Sequence, residues 1–452
     1  MADTYLTRTP SSTGNRRILT ISCWFKRNNI SSTQTLFANG GNSSNRDYIV
    51  FESNQLVVAR YDGGYQYQIK LNRLFRDTSA WYHLVVAFDT TEDSSDNRIK
   101  IYINGVRETS FATNTRPTLN RDTWYNYSGK LQNIGVDYDN AGNDFDGLMS
   151  HVHWCDGAAL APTVFGETDS TTGEWKIKTS PSFTPGTNGF TILKDGNTIT
   201  DQSANSNNFS LGGGTLTKTQ DCPSNVFATL NPLQKLGNSN VTLNYGNTAY
   251  KTTSSAWGNI TSTLGFSSGK FYVEGKILGL NSSTGYGGMG IIDSTRAGIT
   301  TGNESFTSTG NTAGIALDYR SGQSAIKSAG DTVSSNIGNF SNGDIIGMAI
   351  DMDNKALYIH KGGTYYQIGG TTGVPTSGSS KTGAITIPAG VEICMIVMSG
   401  YSAAADFCYN FGNGYFITTA VSSAGTNASG NGIFEYDVPS GYTALSTKGL
   451  NL

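Results

Sequence analysis

The sequence predicts an all-β chain made of two antiparallel β-sandwich domains joined by a connector. Short apolar runs alternate with polar residues at a period of two, and Gly, Asn and Ser cluster between the runs. No long stretch has the 3.6-residue period of an amphipathic helix. Gly accounts for 55 of the 452 residues, which is about 12% against a usual ~7%. A chain of many short strands and frequent turns is typical of sandwiches or barrels.

The most informative segment is 81–107, WYHLVVAFDTTEDSSDNRIKIYINGVR. Two runs of period-two alternation flank a polar stretch, and an Asn-Gly pair then predicts a tight turn. We expect Ile99, Ile101 and Ile103 to face a core, because alternate residues of a strand point to the same side.

This segment resembles the central hairpin of laminin-G-like, concanavalin-A-like jelly rolls, where a Trp-Tyr/His-His strand precedes a strand ending in Asn-Gly. The opening residues, YLTRTPSSTGNRRILTISCWFKR, resemble the first strands of the same modules. The resemblance implies a jelly roll over residues 1–180. Phage proteins of this kind often continue with Asp-Gly-x-x-Leu-x-Pro-x-x-Phe-Gly. That pattern is matched here by Asp156, Gly157, Leu160, Pro162, Phe165 and Gly166.

A second domain is expected over residues 241–418, after a Gly/Ser/Asn-rich connector at 181–240. Its order of strands resembles a SPRY-type β-sandwich, including a Gly-Asp-x-Ile-Gly-x-x-x-Asp pattern. The matching residues are Gly343, Asp344, Ile346, Gly347 and Asp351. SPRY modules are generally binding scaffolds, which is what this resemblance implies. Residues 419–452 are expected to form a C-terminal tail.

Charge and composition disfavour several classes of protein. The formal net charge is -3, so the basic surface typical of nucleic-acid binding is not expected. No run of 18 apolar residues predicts a membrane span, and the N-terminal residues do not have the pattern of a signal peptide. Five widely spaced cysteines predict buried, reduced thiols rather than a disulfide framework.

The acidic and histidine residues do not form a convincing catalytic pattern. Glycan hydrolysis needs two carboxylates about 5–9.5 Å apart, and only Glu167 and Asp169 have suitable spacing, in a turn-like segment. His151 and His153 could share one strand face and chelate a metal, although no third ligand is evident nearby. We therefore expect a non-enzymatic protein.

One stretch of the first domain combines loop aromatics with an acidic run, as sugar binding requires. The candidate ligand-binding residues are Trp124, Tyr125, Tyr127, Asp137, Tyr138 and Asp139. A second dense aromatic set includes Tyr61 and Tyr65, although packing would explain most such residues. The acidic run also suggests calcium, with Asp137, Asp139 and Asp144 as ligands. The alternative is a solvated loop closed by Asx turns.

The resemblances together imply a virion surface protein of a bacteriophage, such as a tail fibre or spike, that attaches to a host-surface glycan. The alternative is a structural decoration protein of the phage head or tail without a specific ligand. Other virion proteins are the expected partners in both cases. A homo-oligomer is also expected, with a trimer as one option, although no coiled-coil heptads support it.

Overall fold

The computed structural model describes residues 4–138, 142–194, 196, 198–237, 241–252, 256–280, 286–295, 314–319, 324–328, 331–335, 337–401 and 405–451. The chain divides into two compact units, Met1–Lys218 (unit 1) and Thr219–Leu452 (unit 2). Both units are built from antiparallel sheets, as the sequence predicts.

Unit 1 is a sandwich of two sheets with one additional hairpin. Its strands are β1 (Tyr5–Arg8), β2 (Ile18–Arg27), β3 (Gln34–Asn42), β4 (Asn45–Glu52), β5 (Gln55–Asp62), β6 (Tyr65–Leu74), β7 (Tyr82–Asp89), β8 (Ile99–Ile103), β9 (Val106–Arg107), β10 (Phe111–Thr115), β11 (Leu131–Ile134), β12 (Gly147–Asp156), β13 (Gly166–Thr168), β14 (Trp175–Ile177), β15 (Phe190–Ile192) and β16 (Ser210–Gly213). Short 3-10 turns lie at Ser95–Asn97 and Pro162–Val164.

The larger sheet has the order β10-β6-β5-β4-β3-β11-β1-β16, and the smaller sheet has the order β15-β12-β2-β7-β8-β9. Side chains from both sheets meet in one apolar core. Ile99, Ile101 and Ile103 are at most 2% exposed and belong to this core, which confirms the prediction for β8.

The outer side of the smaller sheet is covered by the β13–β14 hairpin. The indole N–H of Trp175 donates to Nδ1 of His83 at 3.0 Å. A Cβ at Gly105 or Gly166 would lie 2.5 Å from the Trp175 ring, so the indole fits only where both side chains are absent. This cover explains why β7 is buried on both faces rather than on alternate residues.

A row of polar residues crosses the core side of the larger sheet, one from each of six adjacent strands. Each member is the cross-strand partner of the next. In spatial order the row, which we name the polar row, is Arg8, Gln132, Asn39, Asp47, Arg60 and Tyr67. At its centre, Asp47 accepts hydrogen bonds from the Tyr67 hydroxyl and the backbone N–H of Trp124, and it pairs with Arg60 at 3.5 Å.

Unit 2 is a second sandwich. Its strands are β17 (Leu230–Gly237), β18 (Val241–Asn244), β19 (Ala249–Thr252), β20 (Gly258–Phe266), β21 (Lys270–Leu280), β22 (Tyr286–Asp293), β23 (Gly314–Tyr319), β24 (Ala325–Ser328), β25 (Asp331–Ser335), β26 (Ile345–Asp351), β27 (Ala356–Lys361), β28 (Thr364–Tyr365), β29 (Gln367–Ile368), β30 (Thr371–Thr372), β31 (Ile385–Thr386), β32 (Cys394–Tyr401), β33 (Ala405–Asn410), β34 (Tyr415–Phe416), β35 (Thr419–Ala420) and β36 (Thr443–Ala444). Further 3-10 turns lie at Pro375–Ser380 and Gly449–Asn451.

One sheet of unit 2 has the order β17-β20-β32-β22-β23-β24-β25, and the other has β18-β19-β33-β21-β26-β27-β28. The Gly-Asp-x-Ile-Gly pattern begins just before β26, in the second sheet, and continues into that strand. Gly347 is required there because a Cβ would lie 1.9 Å from Nε2 of His360 on the neighbouring strand.

A buried carboxylate anchors the C-terminal residues of unit 2. Glu274 accepts hydrogen bonds from the backbone N–H groups of Glu435 and Tyr436, at 2.9 and 2.8 Å, from the Asn410 amide and from the Tyr272 hydroxyl. His360 Nε2 lies 2.7 Å from that hydroxyl. Because His360 Nδ1 accepts from a backbone N–H, its Nε2 carries the proton and donates to Tyr272.

The residues predicted as a connector and a tail take part in the two units. Strands β15 and β16 belong to the sheets of unit 1, whereas β17 belongs to unit 2. Within the predicted tail, β36 pairs with β21. Apolar and polar residues do not alternate regularly in these segments, so the sequence pattern could not predict that they contribute strands to the sheets.

The cysteines of the chain are free thiols, and most of them are buried. Four of the five cysteines are buried and Cys222 is half-buried. No helix in the described part of the chain is long and apolar enough to cross a membrane.

Candidate functional site

The outer side of the larger sheet of unit 1 carries a row of exposed and half-buried side chains near the β3–β4 and β5–β6 turns. Leu131, Gly40, Arg46, Tyr61 and Tyr65 are successive cross-strand partners in this row. A Cβ at Gly40 would lie 2.8 Å from the Cα of Arg46 and 2.3 Å from a backbone oxygen. The glycine therefore allows the chain to approach Arg46 closely.

Arg46 is held between two tyrosine rings and a carboxylate. Its guanidinium carbon lies 4.9 Å from the ring centroid of Tyr48 and 4.5 Å from that of Tyr138. Its Nη1 lies 3.5 Å from Oδ2 of Asp137. With about a fifth of its side chain exposed, Arg46 is a fixed cation at the surface.

Two further tyrosines extend this surface. Tyr61 and Tyr65 make an edge-to-face contact with ring centroids 5.4 Å apart, and Tyr65 is 50% exposed. Burial raises the pKa of Tyr48, and its hydrogen bond to Tyr65 adds to that shift. The Tyr48 hydroxyl therefore stays protonated.

Small apolar side chains form the floor between these groups. Ala38, Val50, Val57 and Ala59 pack against Tyr48 in a cluster separate from the main core. Tyr48 is itself buried, with 7% exposed, so Arg46 and the other tyrosines present the accessible groups of this surface. We name the surface made of Arg46, Tyr48, Tyr61, Tyr65 and Tyr138 the tyrosine face. It combines ring surfaces for sugar C–H groups with hydroxyl and guanidinium donors for sugar oxygens.

The structure places the predicted ligand-binding residues in different environments. Asp137 and Tyr138 lie at the tyrosine face, but Asp139 is outside the described residues. Tyr125 corrects the prediction, because it is fully buried in the core of unit 1. It packs edge-on against Phe88 and Trp154, with centroids 5.5 and 5.3 Å away. A residue in that position cannot contact a ligand at the surface.

Trp124 and Tyr127 lie together, but cations cover their rings. The two ring centroids are 5.6 Å apart. Arg16 lies 4.2 Å from the centroid of Tyr127, and both Arg60 and Lys130 lie 5.1 Å from that of Trp124. These ring faces are engaged by side chains of the protein, which disfavours the sugar stacking that the sequence suggested for them.

The predicted calcium ligands are only partly described. The Asp137 carboxylate is engaged by Arg46 and by the amide of Asn143. Asp144 is half-buried, whereas Asp139 lies outside the described residues. Among the residues that the structure describes, no group of three or more His, Cys, Asp or Glu could hold a metal ion. Calcium binding by this loop stays a prediction.

The side chains considered for catalysis have structural partners. Glu167 and Asp169 both pair with Lys176, at 3.5 and 3.1 Å, across the β13–β14 hairpin. His151 lies in a bulge of β12 with a positive φ of 48°, and its ring centroid is 6.1 Å from that of His153. Burial lowers the pKa of His153 to about 3, so this imidazole is neutral.

Sequence reasoning missed Arg46 and Tyr48 as members of the site. A usable signal was present, since Arg46, Tyr48 and Val50 alternate with the core-facing residues of β4 and must share its outer side. The partner strands of β4, and therefore the tyrosines that join this surface, were not evident from that alternation.

Comparison with known proteins supports the fold of unit 1. Residues 2–165 match the family model of the concanavalin A-like lectin/glucanase superfamily, named for its laminin-G-type domain. This match covers less than half of the chain. No curated protein sequence matches the chain significantly.

Several solved structures have similar regions. The SPRY domain of human HERC1 is 14% identical and covers 40% of this chain and 96% of its own, with a TM-score of 0.30. A pentraxin from Limulus polyphemus is 16% identical over 35% and 71%, with a TM-score of 0.27. Domain 4 of a GH43 arabinanase from Geobacillus stearothermophilus, solved with arabinotriose, is 20% identical over 34% and 68%, with a TM-score of 0.26. Similarities of this size carry no argument about a ligand.

Proposed function

We propose that this chain is a non-enzymatic surface protein of a bacteriophage particle, a fibre or spike, that binds a host-surface glycan through the tyrosine face. One observation carries the binding proposal. Arg46 is held by Tyr48, Tyr138 and Asp137 on the outer side of a sheet, beside the pair formed by Tyr61 and the exposed Tyr65. Side chains fixed before a ligand arrives lose little entropy on binding.

The chemistry of this surface suits a sugar. A pyranose ring has apolar C–H groups that pack on an aromatic ring and hydroxyls that need donors and acceptors. Tyr65 offers an exposed ring and Tyr138 a half-buried one. Arg46 and Asp137 neutralise one another, so the tyrosine face itself does not require a charged sugar.

The location on a virion is supported by the Asp-Gly-x-x-Leu-x-Pro-x-x-Phe-Gly pattern, which resembles phage proteins. Its residues are in contact with the sandwich, since Phe165 stacks on His153 at 5.5 Å and Gly166 accommodates Trp175. Immunogold electron microscopy of phage particles from a lysate that expresses the chain tests this part. Labelled fibres or spikes support the proposal, and unlabelled particles contradict it.

The binding experiment uses the labelled full chain on host cells, with extracted host polysaccharide as competitor. Saturable binding that the polysaccharide displaces is expected. The double variant Tyr65→Ala/Tyr138→Ala should weaken binding about tenfold, since it removes two ring contacts. Tyr245→Ala is the matched control, because Tyr245 of unit 2 is 51% exposed and lies outside the tyrosine face.

Two outcomes would contradict parts of this proposal, and a third would extend it. Folded wild-type protein that does not bind at micromolar concentration would favour a structural decoration role. Release of new reducing ends from the polysaccharide would contradict the non-enzymatic assignment. Loss of binding in EDTA, restored by Ca²⁺, would instead extend the proposal to a calcium site at residues 137–144.

A further inference from the structure

A second surface of unit 1, next to the tyrosine face, has an excess of positive charge. We name it the basic rim, and its charged residues are Arg16, Arg17, Arg121, Asp122 and Lys130. The carboxylate of Asp122 pairs with Arg16 at 3.5 Å and with Arg17 at 2.7 Å. Within the described part of the chain, neither Arg121 nor Lys130 has a carboxylate partner. Four cations and one carboxylate leave a formal charge of +3.

Neighbouring charges reduce this excess only in part. Arg60 pairs with Asp47 at 3.5 Å and with Asp62 at 3.0 Å, which adds at most one net negative charge. The region therefore keeps a charge of about +2 in a chain whose net charge is -3. Such a local reversal of sign concentrates anions at one place on the surface.

Two of the four cations of the rim are positioned by aromatic rings. Arg16 lies over Tyr127, and Lys130 lies over Trp124. A cation held over a ring keeps its charge and can still bind an anion on its other side. The rings at this end of unit 1 therefore serve as supports for charge, which explains why they are not open to sugar.

One contact connects the rim with the tyrosine face. A Cβ at Gly41 would lie 3.3 Å from Nζ of Lys130, and the preceding Gly40 is the cross-strand partner of Arg46. A single extended ligand can therefore contact both surfaces.

We propose that the basic rim is an anionic subsite and that the glycan bound by unit 1 is an acidic polysaccharide. Its ionised groups, carboxylate or sulfate, contact Lys130, Arg121 and the paired arginines, while a neighbouring sugar ring packs on the tyrosine face. This inference rests on the proposed glycan-binding function. Duplex DNA is disfavoured as the polyanion, because the chain as a whole is negatively charged.

The test compares glycans that differ only in charge. Polygalacturonate, alginate and hyaluronan are each presented to the full chain beside their methyl-esterified forms, together with dextran, mannan and duplex DNA. Binding to at least one acidic glycan is expected, with a loss of about tenfold on esterification and a further loss in high salt.

Each result separates this inference from the proposed function. Equal binding to acidic and esterified forms, or binding to neutral glycans alone, overturns the anionic subsite and leaves glycan binding intact. Binding to none of these glycans or to the extracted host polysaccharide overturns both. Equal or tighter binding to duplex DNA overturns the choice of an acidic polysaccharide.

Variants locate the subsite. Lys130→Gln/Arg121→Gln should weaken binding to the acidic glycan about tenfold and reduce its salt dependence. Binding to neutral glycans and the melting temperature should not change. Lys448→Gln, at an exposed lysine of unit 2, is the control for charge alone. Loss of affinity equal to that of the control would overturn the assignment to the rim.

Discussion

Asp47 in unit 1 and Glu274 in unit 2 are both fully buried carboxylates, but different groups stabilise them. Asp47 has the guanidinium of Arg60 beside it, together with a tyrosine hydroxyl and one backbone N–H. Glu274 has four neutral donors, two of them backbone N–H groups. Burial raises the pKa of Asp47 to about 6 and that of Glu274 to about 7.

This difference shows two ways of attaching an irregular segment to a sheet. In unit 1 the segment around Trp124 is attached through an ion pair, and in unit 2 the segment around Tyr436 is attached by hydrogen bonds alone. Removal of Glu274 would leave no charged partner behind, whereas removal of Asp47 would take one carboxylate from Arg60. The Glu274 network, however, has more hydrogen-bond donors that depend on the single carboxylate.

Truncation of each carboxylate gives the largest expected effect. Glu274→Ala should lower the free energy of unfolding by about 4 kcal/mol, because four buried donors lose their acceptor. Asp47→Ala should cost about 3 kcal/mol, since Arg60 keeps Asp62 and the backbone oxygen of Asp122. Urea unfolding measures both values, with the exposed Glu392→Ala as control. A larger loss for Asp47→Ala would reverse the comparison.

The pH dependence of stability gives the next effect. An acid with a raised folded-state pKa takes up a proton on folding, so its contribution to stability falls as pH rises. For Glu274 the fall occurs between pH 4.5 and about 7 and amounts to about 3 kcal/mol. For Asp47 a fall of about 3 kcal/mol occurs between pH 3.8 and about 6.

Neutral isosteres measure these slopes. The difference in unfolding free energy between wild type and Glu274→Gln should change by about 3 kcal/mol between pH 4.5 and about 7. The difference between wild type and Asp47→Asn should change by about 3 kcal/mol between pH 3.8 and about 6. Urea titrations at half-unit pH steps give both curves. Differences that stay constant with pH would show that the carboxylates have ordinary pKa values.

Removal of one hydroxyl gives the smallest effect. Tyr272→Phe should cost about 2 kcal/mol, because Glu274 loses a donor and Nε2 of His360 loses its acceptor. Tyr67→Phe should cost about 1 kcal/mol, because Asp47 keeps Arg60 and the N–H of Trp124. Equal costs would show that the hydrogen bond of His360 to Tyr272 adds nothing to stability.

The sequence predicted what depends on local pattern. The alternation of Ile99, Ile101 and Ile103 was enough to place β8 against a core, and repeated alternation predicted the sandwich class. The candidate site was predicted in part, through Asp137 and Tyr138. Tyr125 was placed wrongly, because its burial depends on how the irregular segment 119–130 folds back onto the sheet.

The remaining features of the site depend on contacts between distant residues. Arg46 and Asp137 are 91 positions apart, and the backbone N–H of Trp124 meets Asp47 across 77 positions. Neither pairing has a sequence signature, since each is set by which strands become neighbours. The alternation on β4 carried an unused signal for Arg46 and Tyr48, but the order of strands was needed for the residues that join them.

The polar row also constrains how the larger sheet can assemble. A strand that paired one residue out of step would turn its polar member away from the core and place an outer residue inside. For β4 this slip would move Asp47 outward and Tyr48 inward, and Arg60 would lose a buried ion-pair partner. A slip at any one of the six strands would therefore remove polar contacts of the row. The polar row therefore favours the one strand register that also brings the residues of the tyrosine face together.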